Sequence, residues 1–458
     1  MKIISKIQNI FFPKLNPQLV LIIGFIIVIL TGAVLLSLPF SLTGKPITFI
    51  DAVFTSASAT CVTGLVVVDT GSHFSMIGQT IILILIQIGG LGVMSFSTLF
   101  LFYLRGRFGI GSREIIHETL SFFDTIDIGS LLNSVFRFTF LFEGIGAFLL
   151  TIRFCFDMPF DRALYTAFFH SISAFCNAGF STFNNNLMLY RSDVFVNLVV
   201  MFLIVIGGIG FIVIYEINKA YRKRISFHGL SLHTKTVLVV TGILIVGGAA
   251  LLLAFEYNVS LKNDNFFTKV LASFFQSITA RTAGFNTVDI SSVTMPSIFV
   301  FIALMFIGAS PASCGGGIKT ATAAVIFAFV KSKINDNSNV NLFYNTLPLK
   351  VISKAIVVVT FAMLVVIGFS FAVSLFELEN ASFQGEGTRF IQVFFEVASA
   401  FGTVGLSAGI TSDLSSASKI LISIVMLIGR VGPLTIATVM ASKDEKDIRY
   451  AQDNILVG

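Results

Sequence analysis

Four short segments of the chain place a glycine and small polar residues in the same order, a combination suited to binding a cation with main-chain oxygens. Each has Ser or Thr followed by Ala and, after three or four further residues, Gly followed by Leu or Phe: SATCVTGL (58–65), SAFCNAGF (173–180), TARTAGFN (279–286) and SAFGTVGL (399–406). A ring of carbonyl oxygens can replace the hydration shell of a cation, and glycine lets neighbouring strands pass closely, often with positive φ. The four segments therefore predict one cation filter.

A second glycine phrase follows each of the first ones at a matched distance. These phrases are IQIGGLG (86–92), IVIGGIG (204–210), MFIGASP (305–311) and MLIGRVG (426–432), and their leading glycines lie 25, 28, 24 and 24 residues after Gly64, Gly179, Gly284 and Gly405. A single glycine loop would be explained equally well as a packing turn, but four matched pairs favour the filter. The recurrence predicts four units, 1–113, 114–228, 229–340 and 341–458, around one central pore.

One hydrophobic segment opens in its middle into GASPASCGGGIKTATA (308–323), between SIFVFIALMFI (297–307) and AAVIFAFV (323–330). Each glycine costs a helix about 1 kcal/mol relative to alanine, and Pro311 removes a backbone donor. The segment predicts an unwound, movable stretch in the ion path, which is a gate, although a static kink for packing is the alternative. The predicted gate residues are Gly308, Ala309, Ser310, Pro311, Ala312, Ser313, Cys314, Gly315, Gly316, Gly317, Lys319 and Arg430.

Charged residues inside apolar segments are the next candidates. An arginine such as Arg430 costs about 2.5–3.5 kcal/mol within a membrane span and usually marks an ion pathway, and the alternative is that its side chain extends to the membrane interface. Lys319 would act at the gate or equally extend to the membrane interface. Arg281, three residues before Gly284, is expected to form a structural clamp with an acidic partner, either Glu396 or Glu143.

Three polar residues each lie five positions after a filter glycine. They are Asp69, Asn184 and Asp289. Such residues would form an outer rim that concentrates cations, or would equally well cap loops.

The elements that hold these residues must be membrane helices. The chain of 458 residues is 55% hydrophobic and 12% charged, about half the charge of a soluble domain. Nearly charge-free runs at 18–40, 79–104, 194–215, 236–256, 351–376 and 419–441 are long enough to span a bilayer. Four shorter segments, 49–59, 162–174, 267–280 and 390–400, predict half-helices that end at the aligned glycines and direct their negative C-terminal dipoles toward a cavity. We therefore expect an all-α polytopic membrane protein with eight spanning helices and four re-entrant half-helices.

Basic residues cluster at the N-terminus and at 105–113, 219–235, 331–354 and 443–449, which the positive-inside rule assigns to the cytoplasm together with both termini. Topology thus explains the net charge of +6 without nucleic-acid binding. The stretch 218–235 would be a solvated loop, a contact with lipid headgroups, or a docking site for a partner. The cysteines show no pairing pattern and read as free, and the histidines show no spacing typical of a transition-metal site.

The four phrases, with the broken helix of the third unit, resemble the superfamily of Trk, Ktr and HKT potassium transporters over essentially the whole chain, and most closely the Ktr-type membrane subunit. The resemblance implies potassium uptake, with Na⁺ as a further candidate ion, across the cytoplasmic membrane. It also implies a homodimer, a cytoplasmic ring of nucleotide-binding regulatory subunits, and a position for Arg430 against the gate. It assigns the filter to Val62, Thr63, Gly64 and Leu65, to Asn177, Ala178, Gly179 and Phe180, to Thr282, Ala283, Gly284 and Phe285, and to Thr403, Val404, Gly405 and Leu406.

Three other classes of protein fit the sequence less well than a potassium transporter does. A secondary active symporter with discontinuous helices usually shows two inverted repeats, whereas four units in one direction occur here. A receptor or scaffold needs no aligned filter loops. An intramembrane enzyme needs a catalytic pair, a metal cluster or an organic cofactor site, and the sequence contains no recognisable one.

Overall fold

The computed structural model describes residues 17–92, 128–377, 387–432 and 435, and these residues are predominantly helical, with almost no strand. Besides short 3-10 turns, the first half contains α1 (Pro17–Ser37), α2 (Phe49–Thr60), α3 (Thr70–His73), α4 (Met76–Leu91), α5 (Ile128–Phe154), α6 (Phe160–Phe175), α7 (Val194–Ile209) and α8 (Phe211–Lys223). The second half contains α9 (Leu232–Glu256), α10 (Phe266–Thr279), α11 (Met295–Phe306), α12 (Thr320–Ile334), a hairpin of β1 (Asn341–Leu342) and β2 (Asn345–Thr346), α13 (Leu349–Glu377), α14 (Gly387–Gly402) and α15 (Ser416–Val431). The predicted all-α fold is confirmed.

Polar side chains begin several of these helices. The Thr48 hydroxyl accepts a hydrogen bond from the Asp51 amide at 3.1 Å, and the Asn265 side chain accepts one from the Thr268 amide at 2.7 Å. Such caps satisfy amide groups that the first turn of a helix leaves unpaired. The caps therefore determine where the short helices α2 and α10 start.

The short helices α2, α6, α10 and α14 alternate with the long helices in a closed order. Each packs against the long helix before it in its own unit, which is α1, α5, α9 or α13. Each also packs against a helix of the unit that precedes it in the ring: α15 packs on α2, α4 on α6, α7 on α10, and α11 on α14. Because α15 returns to α2, the four short helices lie in a ring.

A repeated contact fixes the short helix to the long helix in units one to three. A serine on the short helix donates to a carbonyl three residues before a glycine of the long helix, and a methyl group on that glycine would overlap the serine oxygen. The three sets are Ser56 with Ile29 and Gly32, Ser171 with Glu143 and Gly146, and Ser277 with Ile245 and Gly248. The glycines therefore permit close helix packing, which positions the loops that follow.

Of the eight spanning helices predicted, the described residues contain three that are long and apolar enough to cross a membrane, or four if one bent pair counts as a single span, and the runs at 79–104 and 419–441 extend beyond the described residues. By length and composition, Asn133–Phe154, Leu232–Glu256 and Leu349–Glu377 could cross a membrane, and Leu21–Ser37, Met76–Leu91 and Met295–Phe306 are shorter apolar helices. The span expected at 194–215 is instead a pair of helices bent by 98° between Ile209 and Phe211. The physical reason is Gly210, whose φ of 95° cannot continue a helix and whose neighbour Phe211 donates its amide to the Ala312 carbonyl at 2.8 Å.

The half-helices end within two residues of the predicted segments, at Thr60, Phe175, Thr279 and Gly402. They therefore stop a few residues before the aligned glycines and do not continue to them. The residue two positions before each filter glycine takes a positive φ, which breaks the helix first. The unit boundary at 113/114, the basic clusters at the N-terminus, 105–113 and 443–449, and both termini lie outside the described residues.

Candidate functional site

The four filter glycines meet in one closed ring. A methyl group on Gly64 would overlap the carbonyl oxygen of Ala178, and one on Gly179 would lie 2.7 Å from that of Ala283. In the same sense, a methyl group on Gly284 would overlap the Val404 carbonyl, and one on Gly405 would overlap the Thr63 carbonyl. Each glycine thus abuts the carbonyl of the residue that precedes the next glycine. The loops converge on a common axis, and any larger residue would push them apart.

The four loops share an unusual backbone conformation. The glycines have φ values of 94°, 69°, 75° and 90°, and the residues two positions earlier, Val62, Asn177, Thr282 and Thr403, have φ values of 56°, 60°, 77° and 49°. Positive φ is strained for β-branched residues such as Val and Thr. Strain repeated at four equivalent positions requires support from the surroundings.

Hydroxyl-bearing residues at the ends of the short helices supply that support. The Ser58 hydroxyl accepts from the Gly64 amide at 3.0 Å, and the Ser399 hydroxyl accepts from the Gly405 amide at 3.1 Å. In the other two units the hydroxyl donates outward instead, from Ser173 to the Phe180 carbonyl and from Thr279 to the Phe285 carbonyl, both at 2.7 Å. Thr279 lies one residue nearer its glycine than the three serines do.

The predicted filter residues are almost completely enclosed. All are buried except Gly405, which is partly exposed. The amide of Asn177 and the hydroxyl of Thr282 lie 3.1 Å apart and form a hydrogen bond between the second and third loops. The structure therefore brings the four predicted segments together in a buried position, and a hydrogen bond between polar side chains connects two of them.

The segment 308–319, together with Ile307 before it, is not helical and lies against the same ring. It separates α11 from α12, with Ile307 and Ile318 paired as an isolated parallel bridge. Its Ser310 and Cys314 amides donate to the carbonyls of Gly208 and Gly207 at 3.0 and 3.2 Å. The predicted unwinding is therefore seen, and the segment passes beside the end of α7.

A turn of this segment is held by its own side chains. The Ser313 hydroxyl donates to the Ser310 carbonyl at 2.7 Å, and the Thr320 hydroxyl donates to the Ser310 hydroxyl at 2.9 Å. Lys319 donates its amine to the Gly315 carbonyl at 2.6 Å. The amine of Lys319 therefore binds a carbonyl within the segment 308–319, which is where the expected gate role would place it.

Arg430 joins three parts of the molecule. Its guanidinium donates to the carbonyl oxygens of Cys314, Gly89 and Gly90, the last at 3.3 Å. Cys314 belongs to the predicted gate, whereas Gly89 and Gly90 lie near the end of α4. Arg430 therefore lies against the segment 308–319, as the resemblance implied.

The expected acidic partner of Arg281 is wrong for both candidates. Glu396 accepts hydrogen bonds from Ser407 at 2.6 Å, the Ala408 amide at 3.0 Å and Thr411 at 3.0 Å. Glu143 accepts from Gln87 at 3.3 Å. Glu396 is therefore bonded within its own loop, and Glu143 is bonded to a residue of the first unit. Arg281 is 7% exposed, and its Nε has no hydrogen-bond partner among the described residues.

The predicted outer rim consists in part of loop caps. Asp69 accepts from the Ser72 amide at 2.7 Å, and Asp289 accepts from the Ser291 amide at 3.0 Å. The capping alternative therefore holds for both aspartates. Whether they also attract cations stays a prediction, as it does for Asn184.

Several hydrogen bonds and ion pairs that stabilise the ring are not predicted by the glycine phrases. Glu256 accepts from Thr294 and Ser297, and Glu377 accepts from the Ser415 amide, so each ties the end of one long helix to the start of the next. Between units, Lys419 pairs with Asp51 at 2.8 Å and Arg191 pairs with Asp264. The equal separations of 38 residues in Glu256–Thr294 and Glu377–Ser415 were a detectable signal.

The thiols and metal-ligand residues complete the site. All four cysteines are free, as predicted, and Cys61, Cys176 and Cys314 are buried. In the described part of the chain, no group of three or more His, Cys, Asp or Glu residues could hold a metal ion. Main-chain and hydroxyl oxygens are therefore the cation ligands that this ring can offer.

The sequence and fold match known cation transporters. Residues 9–449 match the TrkH family, described as cation transport proteins. The chain is 40% identical to Ktr system potassium uptake protein B of Bacillus subtilis over 459 residues (99% of this chain, 100% of the relative), and 38% identical to the protein of the same name from Vibrio alginolyticus over 449 residues (97% and 95%). It is 33% identical to potassium/sodium uptake protein NtpJ of Enterococcus hirae over 452 residues (97% and 98%).

A solved structure supports the same fold. The potassium transporter TrkH from Vibrio parahaemolyticus matches with a TM-score of 0.73 at 17% identity, covering 94% of this chain and 86% of that one. The family match spans nearly the whole chain, and the relatives are named as uptake proteins rather than enzymes. The chain therefore belongs to the TrkH family of cation transport proteins.

Proposed function

We propose that this protein takes up K⁺ across the cell membrane through the ring formed by the loops at Gly64, Gly179, Gly284 and Gly405. The observation that carries the proposal is the closed order of the ring, in which each glycine abuts the carbonyl of the next loop. Main-chain oxygens are the ligands that replace water around K⁺ in a filter. The names of the Ktr relatives support the same ion.

The filter offers one glycine per loop, so few coordination rings can stack along the axis. Discrimination between K⁺ and Na⁺ is therefore expected to be real but shallower than in a filter with four stacked sites. The name of the Enterococcus relative, a potassium/sodium uptake protein, supports Na⁺ as a second ion.

The segment 308–319 would act as the gate below this filter. Its glycines give it a backbone with few steric limits, and Arg430 and Lys319 hold its carbonyls. A positive guanidinium beside the path would also oppose a resting cation. The proposed gate is thus a nonhelical segment held in place by hydrogen bonds. A conformational change that breaks these bonds would release it.

The remaining assignments rest on resemblance. We propose a homodimer and a cytoplasmic ring of regulatory subunits that bind nucleotide. The relatives are named as protein B of a Ktr system, which supports further components.

The deciding experiment is ⁸⁶Rb⁺ uptake by liposomes that contain the purified protein, with Na⁺ and K⁺ gradients varied independently. The proposal expects uptake above that of protein-free liposomes, with K⁺ competing better than Na⁺. Absence of Rb⁺ uptake from folded protein, or uptake only of an organic solute with Na⁺, would favour the symporter alternative. Restored growth of a K⁺-uptake-deficient strain at low K⁺ is the companion test in cells.

A further inference from the structure

The segment 308–319 touches the filter itself, at the third and fourth loops. We infer that this segment and those two loops form one coupled unit, so that withdrawal of the segment loosens the loops and lowers the selectivity between K⁺ and Na⁺. The inference deepens the proposed function and rests on it. It gives Thr403 the role of a positioning residue that senses whether the segment is in place.

The contact is direct. The Gly316 amide donates to the Thr403 hydroxyl at 2.9 Å, and this pair is buried. A methyl group on Gly316 would lie 2.7 Å from Cγ2 of Thr403, and one on Gly315 would lie 2.9 Å from Cβ of Thr282. Both glycines are therefore required for the segment to lie this close to the two threonines.

Thr403 is the strained residue of the fourth loop, with a φ of 49°. Its amide donates to the Ala400 carbonyl at 3.1 Å, and the next amide, of Val404, donates to the Ser399 carbonyl at 2.9 Å. These bonds belong to the loop and persist whatever the segment does. The bond from Gly316 is different, because it exists only while the segment remains below the ring.

The third loop is linked in turn to the second. The Thr282 hydroxyl, which lies beside Gly315, is bonded to the Asn177 side chain at 3.1 Å. A shift of the segment at Gly315 would therefore change the packing of Thr282 and reach Asn177. Three of the four residues at this level are polar, and two of them contact the segment.

The first loop supplies an internal comparison. Val62 occupies the same position as Thr403 with a φ of 56° and has no hydroxyl. A valine is thus compatible with this backbone conformation, and the Thr403 hydroxyl is not needed to form it. Thr403→Val should consequently fold and lose only the bond to Gly316.

The functional test combines Thr403→Val and Thr403→Ser with a shortened segment lacking 310–316, in the full-length protein in liposomes. Loss of one net hydrogen bond, about 1 kcal/mol, corresponds to about a fivefold change in an equilibrium. We expect Thr403→Val to raise basal ⁸⁶Rb⁺ flux about fivefold and to lower the K⁺/Na⁺ ratio, whereas Thr403→Ser, which keeps the hydroxyl that accepts from Gly316, reverses most of both changes. We expect the shortened protein to have a reduced ratio already, with no further change on adding Thr403→Val.

Hydrogen–deuterium exchange of the purified protein measures the contact without any transport. Peptides that cover 308–319 should exchange about fivefold faster in Thr403→Val than in wild type or Thr403→Ser. An unchanged K⁺/Na⁺ ratio in the shortened protein would overturn the coupling, as would an equal effect of Thr403→Val in both backgrounds or unchanged exchange. If the wild type carries no Rb⁺, the proposed function fails, and the exchange result still decides whether Thr403 holds the segment.

Discussion

Gly405→Ala tests whether closure of the glycine ring determines ion selectivity. A methyl group on Gly405 would overlap the Thr63 carbonyl oxygen and lie 2.8 Å from the Gly64 Cα, and φ at this position is 90°. Gly409 offers a matched control, because its φ is 91° but its nearest neighbour, Cβ of Ser291, would be 3.6 Å away. The two substitutions therefore impose the same backbone strain, and only one of them disturbs the ring.

The expected magnitudes follow from these contacts. Strain at such a φ costs about 1–3 kcal/mol, and this cost applies to both variants. In Gly405→Ala the Thr63 carbonyl must also move by about 1 Å to restore an ordinary contact distance. We expect the K⁺/Na⁺ ratio to fall about tenfold, equivalent to about 1.4 kcal/mol, in Gly405→Ala and to stay near wild type in Gly409→Ala.

The assay is ⁸⁶Rb⁺ uptake in liposomes with K⁺ and Na⁺ as competitors, together with thermal unfolding of each variant in detergent. A larger loss of stability in Gly405→Ala than in Gly409→Ala would measure the added cost of the overlap with the Thr63 carbonyl. The ring argument would be refuted by unchanged competition in Gly405→Ala, or by an equal loss of selectivity in the two variants. The second result would assign the effect to loop strain in general.

Three further experiments test the contacts around the ring. Arg430→Gln removes donors to the Cys314 carbonyl, so basal Rb⁺ flux should rise about tenfold, with Arg430→Lys in between; unchanged flux would remove Arg430 from the gate. A double-mutant cycle of Lys419→Ala and Asp51→Ala should show a coupling of about 1 kcal/mol in unfolding, because the pair is largely buried; additive effects would contradict it. Glu256→Ala leaves buried donors unpaired and should lower stability by about 2 kcal/mol without altering the K⁺/Na⁺ ratio, and a changed ratio would argue against a purely structural role.

The glycine phrases allowed the ring to be predicted because their physical requirement is local. A backbone position with positive φ and no room for a side chain accepts only glycine, and four such positions at matched spacing leave a visible pattern. The break at 308–319 is visible for the same reason, since several glycines and a proline disfavour a helix wherever they occur.

Other features were hidden because they depend on tertiary contacts. Val62 and Thr403 are β-branched, and propensity alone argues against their positive φ. The 98° bend after Gly210 accompanies a hydrogen bond from the Phe211 amide to the Ala312 carbonyl, and this partner lies in a distant segment of the chain. The sequence also could not reveal that Glu396 does not pair with Arg281. Glu396 lies on the fourth half-helix, as predicted, but it accepts hydrogen bonds from its own loop.

A ring formed by one chain differs from a ring formed by four identical subunits because its equivalent positions can carry different residues. The residues two positions before the glycines share a backbone conformation but are Val, Asn, Thr and Thr. The polar side chains lie where the segment 308–319 or a neighbouring loop offers a partner, whereas the apolar Val62 packs beside Gly89, with its Cγ2 3.0 Å from where a methyl group on that glycine would be. Four equal subunits would have to place the same residue at all four positions. Because each position here is encoded separately, the proposed function can divide its two tasks: the nearly symmetric ring would bind the ion, and the asymmetric segment 308–319, which contacts Thr282 and Thr403 of the ring, would control it.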